Sequence, residues 1–205
     1  RDDDFGRKIV VSKEFKKKTP YSLLCVTFTF EGKKERAAEM RQKWGHRCDR
    51  HVFITNASTI DGVAAEDQLV FKRALGKEEW KNAWQKTRMT VKGLSEISWI
   101  DEYDFIFFAG DDVLLIVDNL RKMLSEPDVH YAHEGGAPLF FGHVLIGNNA
   151  KGPAFLSGGA GYVMNKQALH VMASRLEDKS CRPTLEASAE DVFISECLAA
   201  VGVTP

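Results

Sequence analysis

The run Asp104-Phe-Ile-Phe-Phe-Ala-Gly-Asp-Asp-Val113 constrains this chain more than any other stretch. Its apolar part, Phe105 to Ala109, is continuous and bounded by polar residues, the pattern of a strand covered on both faces in a mostly parallel sheet. The strand ends on two adjacent carboxylates, Asp111 and Asp112. In open α/β sheets ligands bind beyond the carboxyl ends of the strands, so these acids stand where chemistry is expected. Hard divalent cations prefer carboxylate oxygen and share their shell with phosphates, which makes the pair a candidate holder of a metal–nucleotide complex. The competing reading makes the two aspartates turn and N-cap residues ahead of a helix at Val117–Leu124.

The rest of the chain fits an α/β architecture. Ser22–Phe30 reads as a first strand and Lys34–Trp44 as an amphipathic helix ended by Gly45. His51–Thr55 is a second short strand, and Asn56–Gln68 reads as loop. Trp80, Trp84, Val91, Leu94 and Ile97 recur at helical spacing and lead into the acid-tipped strand. Beyond Val117–Leu124 the sequence predicts a loop with Pro127, Gly135 and Gly136, then a strand near Leu139–Leu145. Phe155–Met164 carries Gly158, Gly159 and Gly161, which permit a tight turn and close backbone approach to a ligand. Its glycine spacing is not that of the dinucleotide fingerprint. A helix Lys166–Leu176, a polar loop 177–189 and a final helix Glu190–Val201 complete the order, which alternates strands and helices with no internal repeat. Two acids, Glu190 and Asp191, open that last helix, where the macrodipole alone favours them.

Composition sets limits. The 205 residues, 44% hydrophobic, suffice for one domain, and a net charge of −1 offers no global field for a nucleic-acid polymer or an anionic membrane. Lys13–Lys18 reads as a solvated lead-in, and residues 1–20 as a linker or edge segment before a single domain over 21–205. No apolar run approaches a membrane span, and the chain opens on Arg1 without a signal peptide, as a fragment would. Cys25, Cys48, Cys181 and Cys197 lack the spacing of a zinc site; two local disulfides, in any of three connectivities, or four buried thiols remain open. Asn56-Ala57-Ser58 is an N-glycosylation sequon, which points toward the secretory route.

Several segments in register carry a resemblance. Leu23-Leu-Cys-Val26, Lys43-Trp-Gly-His-Arg-Cys48, Trp84-Gln-Lys-Thr87, Gly110-Asp-Asp112 followed by Asp118-Asn-Leu120, Ser157-Gly-Gly-Ala-Gly-Tyr-Val163, and Glu190-Asp191 with Cys197 resemble the β-1,3-glycosyltransferases of the GT-A nucleotide-diphospho-sugar transferase fold. The likeness is greatest to the core 1 β-1,3-galactosyltransferases and runs from Tyr21 to the end of the chain. It implies a mostly parallel sheet flanked by helices, Mn²⁺ or another divalent cation on Asp112, and Asp191 as catalytic base. It further implies Asp111, Arg36, Arg41 and Lys86 around the donor, and Gly158, Gly159, Tyr162 and Glu190 around donor and acceptor. The same resemblance pairs Cys25 with Cys48 and Cys181 with Cys197. Where the family usually has three consecutive aspartates, this chain has Gly110 first. Relatives continue past Pro205 into a segment with a further metal-ligating histidine, so the domain is expected to be truncated at its C-terminus. None of His46, His130, His133 and His143 is assigned as a ligand.

The activity so implied is an inverting transfer of galactose from UDP-galactose to a GalNAc-type hydroxyl on glycoprotein. The expected setting is the lumen of the Golgi or secretory pathway, with a type II membrane anchor outside this chain and homodimerisation left open. A fringe-like N-acetylglucosaminyl transfer and a catalytically silent chaperone relative are the two rival readings, since sugar choice rests on pocket shape.

Overall fold

A computed structural model describes residues 20–56, 59–70, 79–147 and 152–204. The lysine run and nearly all of the expected linker lie outside them, as do Ala57 and Ser58 of the sequon. Among the described residues eight strands form: β1 (Leu23–Phe28), β2 (Arg50–Ile54), β3 (Gln68–Leu69), β4 (Phe105–Gly110), β5 (Phe140–Gly142), β6 (Val144–Ile146), β7 (Ala154–Leu156) and β8 (Tyr162–Asn165). Six of them make one sheet in the order β3-β2-β1-β4-β8-β5, while β6 and β7 pair as a separate hairpin. β1 to β4 are parallel, β8 runs against β4, and β5 runs against β8. The sheet is therefore mostly parallel, with one reversed strand between β4 and β5.

Both faces are covered, which explains why β1 and β4 read as unbroken apolar runs. Leu24, Val26, Ile106 and Phe108 point to one side and pack with Trp84, Val91 and Leu94 of helix α2 (Ala83–Glu96). Their odd-numbered neighbours Leu23, Cys25, Phe105 and Phe107 meet Met40 and Trp44, with Leu120 and Leu124, on the other side. Burying such a side chain contributes about 1.5–3 kcal/mol, so the two faces of β4 anchor the domain. The helices that lie wholly among the described residues are α1 (Lys34–Lys43), α2 (Ala83–Glu96), α3 (Val117–Leu124), α4 (Pro127–Glu134), α5 (Lys166–Arg175) and α6 (Glu190–Ala199).

Four local readings change. The stretch Asn56–Gln68, read as loop, ends in the two-residue strand β3, too short to show a period. The stretch after Pro127 is the helix α4 and not a loop, because proline at the first helical position loses no hydrogen bond and its φ suits a helix start. The strand expected near Leu139–Leu145 is two strands in different sheets, broken at His143. β8 grows straight out of the glycine-rich segment, its four residues all buried and so without the alternation that marks a strand in sequence.

Two disulfides, Cys25–Cys48 and Cys181–Cys197, are present, and no cysteine is free. Their pairing is the one the resemblance implied, and it fits an oxidising, secretory compartment. Among the described residues no helix is long and apolar enough to cross a membrane.

Candidate functional site

The parallel strands deliver their carboxyl ends to one edge of the sheet, and the chemistry-bearing residues gather there. Thr29 follows β1, and its hydroxyl donates to Asp111 Oδ2 at 2.8 Å. Its carbonyl accepts from Lys86 Nζ at 2.6 Å. Thr29 thus ties the acid after β4 to the lysine of α2, a role that a single threonine in an apolar strand gave no sign of. Asp112 is exposed, one residue further along. Neither aspartate caps α3: the N-cap is Ile116 and no side chain caps it. A Cβ at position 110 would stand 3.1 Å from Asp112 Oδ1, so Gly110 leaves the space into which that carboxylate folds.

The loop behind Asp112 is braced from α1. The Trp44 indole N–H donates to the Val113 carbonyl at 3.2 Å, and the Cys25–Cys48 bond pins the same segment to β1. Arg47 pairs with Asp118, and Arg121 bonds Asp49 at 2.9 Å. Lys43–Cys48 accordingly buttresses the acidic turn. Arg36 is exposed on α1, where its charge bears on Glu39, and Arg41 bears on the buried His51; among the described residues neither forms a hydrogen bond or ion pair with an acid of the edge.

The second half of the site is built by β8, its preceding turn and α6. Gly158–Ala160 form a 3-10 turn, and the Gly158 N–H donates to Asp191 Oδ2 at 3.0 Å. Asp191 Oδ1 accepts from the Val192 N–H at 2.9 Å. Gly161 has φ +75°, and a Cβ there would lie 2.5 Å from the Phe107 ring and 2.9 Å from the Phe108 carbonyl oxygen. The turn therefore lies directly on β4, two residues before Gly110, and it brings the α6 acids to the edge where β4 ends. The register Phe108↔Tyr162 fixes the same approach.

Tyr162 is 2% exposed and stacks on Phe108 at 5.6 Å, beneath the acids and out of reach of solvent. Its hydroxyl has no hydrogen-bond partner among the described residues; Thr87 faces it without reaching hydrogen-bond geometry. Burial, then the charges of Glu190 and Asp191, push the phenol far above its ordinary range. Glu190 is raised to about 7, first by burial and then by Asp191.

The start of α6 is held from α2 and the loop before it, a supporting role the sequence pattern did not reveal. The Trp84 N–H donates to the Ala187 carbonyl at 3.0 Å, and Gln85 Nε2 donates to Leu185 O at 2.7 Å. Buried Arg88 donates to Pro183 O at 2.7 Å and to Leu176 O at 2.6 Å. Cys181–Cys197 ties this loop to the last turn of α6. Two of the unassigned histidines sit on α4, away from the edge: His133 approaches Asp104, which precedes β4, and His130 bonds Tyr21, which precedes β1. His46 lies in the turn after α1, and His143 stands between β5 and β6, its carbonyl accepting from the Ser157 N–H at 2.8 Å just before the glycine turn.

Among the described residues no group of three or more His, Cys, Asp or Glu is placed to hold a metal. A cation that keeps several waters and shares donor phosphates needs only one or two protein carboxylates, and the exposed Asp112 fits that lesser demand.

Fold and edge together define an α/β domain with a mostly parallel six-stranded sheet between helices, consistent with the GT-A class. Over 194 residues the chain is 28% identical to glycoprotein-N-acetylgalactosamine 3-beta-galactosyltransferase 1 of Xenopus laevis, an alignment covering 94% of this chain and 48% of that protein. That similarity supports a core 1 β-1,3-galactosyltransferase-like relative. The chain spans about half the length of the curated relative it matches. No protein-family model matches it.

Proposed function

We propose that this chain is the catalytic domain of an inverting, metal-dependent β-1,3-glycosyltransferase that moves galactose from UDP-galactose to a GalNAc-type acceptor on glycoprotein. The observation that carries the reading is the Gly158 amide, which holds the Asp191 carboxylate while its turn rests on the strand that ends in Asp111 and Asp112. Acids 79 positions apart in sequence, by subtraction of 112 from 191, thereby share one sheet edge. The activity for which the Xenopus laevis relative is named supports the same chemistry.

In this reading Asp191 accepts the proton of the acceptor hydroxyl as that oxygen attacks the anomeric carbon from the face opposite the diphosphate. A positioned base contributes about 10²–10⁴-fold in rate. Asp111, oriented by Thr29, and Lys86 hold the donor, and Asp112 would hold Mn²⁺ or another divalent cation. That ion, when bound, neutralises charge on the leaving diphosphate. Gly158 and Gly159 present backbone to the sugars with no side chain in the way, and Arg36 and Arg41 are assigned to the outer donor pocket. The exposed Asn56 carries an N-glycan, and the protein works in the lumen of the Golgi or secretory pathway behind a type II anchor outside this chain.

The full-length secreted protein is to be screened against a panel of nucleotide sugars with a GalNAc-peptide, with and without Mn²⁺. Galactose transfer that needs Mn²⁺ is expected, and Asp191→Asn loses at least ~10²-fold of it while keeping Mn²⁺-dependent UDP binding. An active Asp191→Asn removes that residue from its role. Turnover with UDP-GlcNAc alone replaces the donor, and metal-independent UDP binding without turnover replaces the enzyme by a binding protein.

A further inference from the structure

Glu190 and Asp191 are neighbours with different surroundings. Both oxygens of Asp191 accept backbone N–H groups, from Val192 at 2.9 Å and Gly158 at 3.0 Å. The two amides fix the position of that carboxylate against the glycine turn. The Glu190 carboxyl instead fills the space that glycine leaves: a Cβ at position 158 would stand 2.3 Å from Glu190 Oε1. Below both lies the buried, unpartnered hydroxyl of Tyr162.

The groups that bear on Glu190 can be named element by element. Asp191 comes from its own helix, the Tyr162 phenol from β8, and the Gly158 turn offers only backbone. From α2, Thr87 faces Tyr162 and carries no charge. No cation contributes to the raised affinity of Glu190 for its proton, which comes from burial and from Asp191.

We propose that Glu190 is the proton store of the transfer site, receiving from Asp191 the proton that Asp191 takes from the acceptor hydroxyl. The inference rests on the function proposed above. The acceptor O–H bond breaks as its oxygen bonds the anomeric carbon, and the carbon–oxygen bond to the diphosphate breaks with its electron pair leaving on UDP. The proton passes to Asp191, then to Glu190, then to water. Asp191, held in place by two amides, is an anion again once the proton has passed to the neighbouring Glu190 carboxyl. Glu190 acts through Asp191 and is thus a positioning residue for the proton. It must be ionised to receive, so transfer rises as pH rises through its titration.

The test uses the full-length protein and two readouts. The pH profile of kcat/KM from pH 5 to 9 is expected to show an acid limb near 7, and Glu190→Gln is expected to abolish that limb while Asp191→Asn abolishes transfer. In wild-type protein labelled with ¹³C at glutamate carboxyls, the Glu190 resonance, assigned by its loss in Glu190→Gln, is expected to titrate near 7. A Glu190→Gln profile that keeps the limb near 7 overturns the proposal, and so does a Glu190 titration in the ordinary carboxylate range. If no donor in the panel is turned over, the functional reading fails, and the substrate-free titration still decides whether the pair holds its proton as described.

Discussion

Two alanines placed three residues apart should have opposite consequences, because the glycines they replace meet different neighbours. Gly161 has φ +75° and ψ 162°, a region that costs an L-residue about 1–3 kcal/mol. Its new Cβ would also stand 2.5 Å from the Phe107 ring and 2.9 Å from the Phe108 carbonyl oxygen, both fixed inside the sheet. Overpacking of that kind costs about 1–3 kcal/mol more, so Gly161→Ala is expected to lose about 2–6 kcal/mol in total. That is a large share of the ~5–15 kcal/mol by which a domain is stable. At Gly158 the obstruction is Glu190 Oε1 at 2.3 Å, the far end of a flexible side chain that can swing aside. Gly158→Ala should therefore cost under ~1.5 kcal/mol of stability, yet displace Glu190 and press on the Asp191 contact, slowing transfer by about 10²-fold. Urea unfolding followed by circular dichroism gives the first quantity, and initial rates at saturating donor give the second. A Gly161→Ala protein as stable as wild type, or a Gly158→Ala protein that unfolds while its glutamate stays put, would refute the packing argument.

Two further outcomes concern stability. His51 is buried against Trp44 and its pKa is lowered to about 3, first by burial and then by the Arg41 charge. Its unfolded value is near 6.5, so stability from the neutral ring is intact above that pH. It falls by about 1.4 kcal/mol per unit as pH drops toward 3. Glu190, raised to about 7, acts in the opposite sense between about 4.5 and 7, stabilising as pH falls. The His51 contribution is therefore read as the difference between wild type and His51→Gln, about 2 kcal/mol of slope from pH 6.5 to 5, by urea titration; equal slopes would contradict it. Breaking Cys181–Cys197, with its separation of 16 residues, should cost about 3 kcal/mol. Because that bond holds the loop ahead of α6, a Cys181→Ala/Cys197→Ala protein should also lose transfer at temperatures where its far-UV circular dichroism is unchanged.

The acid-tipped strand was legible in sequence because β4 is covered on both faces and so is apolar throughout. Helices α1, α2, α5 and α6 were legible through period and charge, and the place of Asp111 and Asp112 through their position at a strand end. What periodicity missed were elements too short or too uniformly buried to show any: β3, with two residues, and β8, buried at all four positions. Pro127 misled because the residue that punctuates a loop also starts a helix. Thr29, Gln85 and Arg88 were invisible as site supports, since their partners are backbone carbonyls and a carboxylate dozens of residues away.

By itself the sequence determined the strand, the acids at its end, the glycines and the likeness to galactosyltransferases, all of which are properties of residue type and local order. Only the tertiary structure decided that β8 runs antiparallel beside β4, and that reversal puts the Gly158 turn and the α6 acids at the edge where β4 ends. It also decided which of two adjacent carboxylates is held by amides and which is buried against a glycine. Such differences arise from burial and from contacts between distant segments, and no pattern along the chain encodes them.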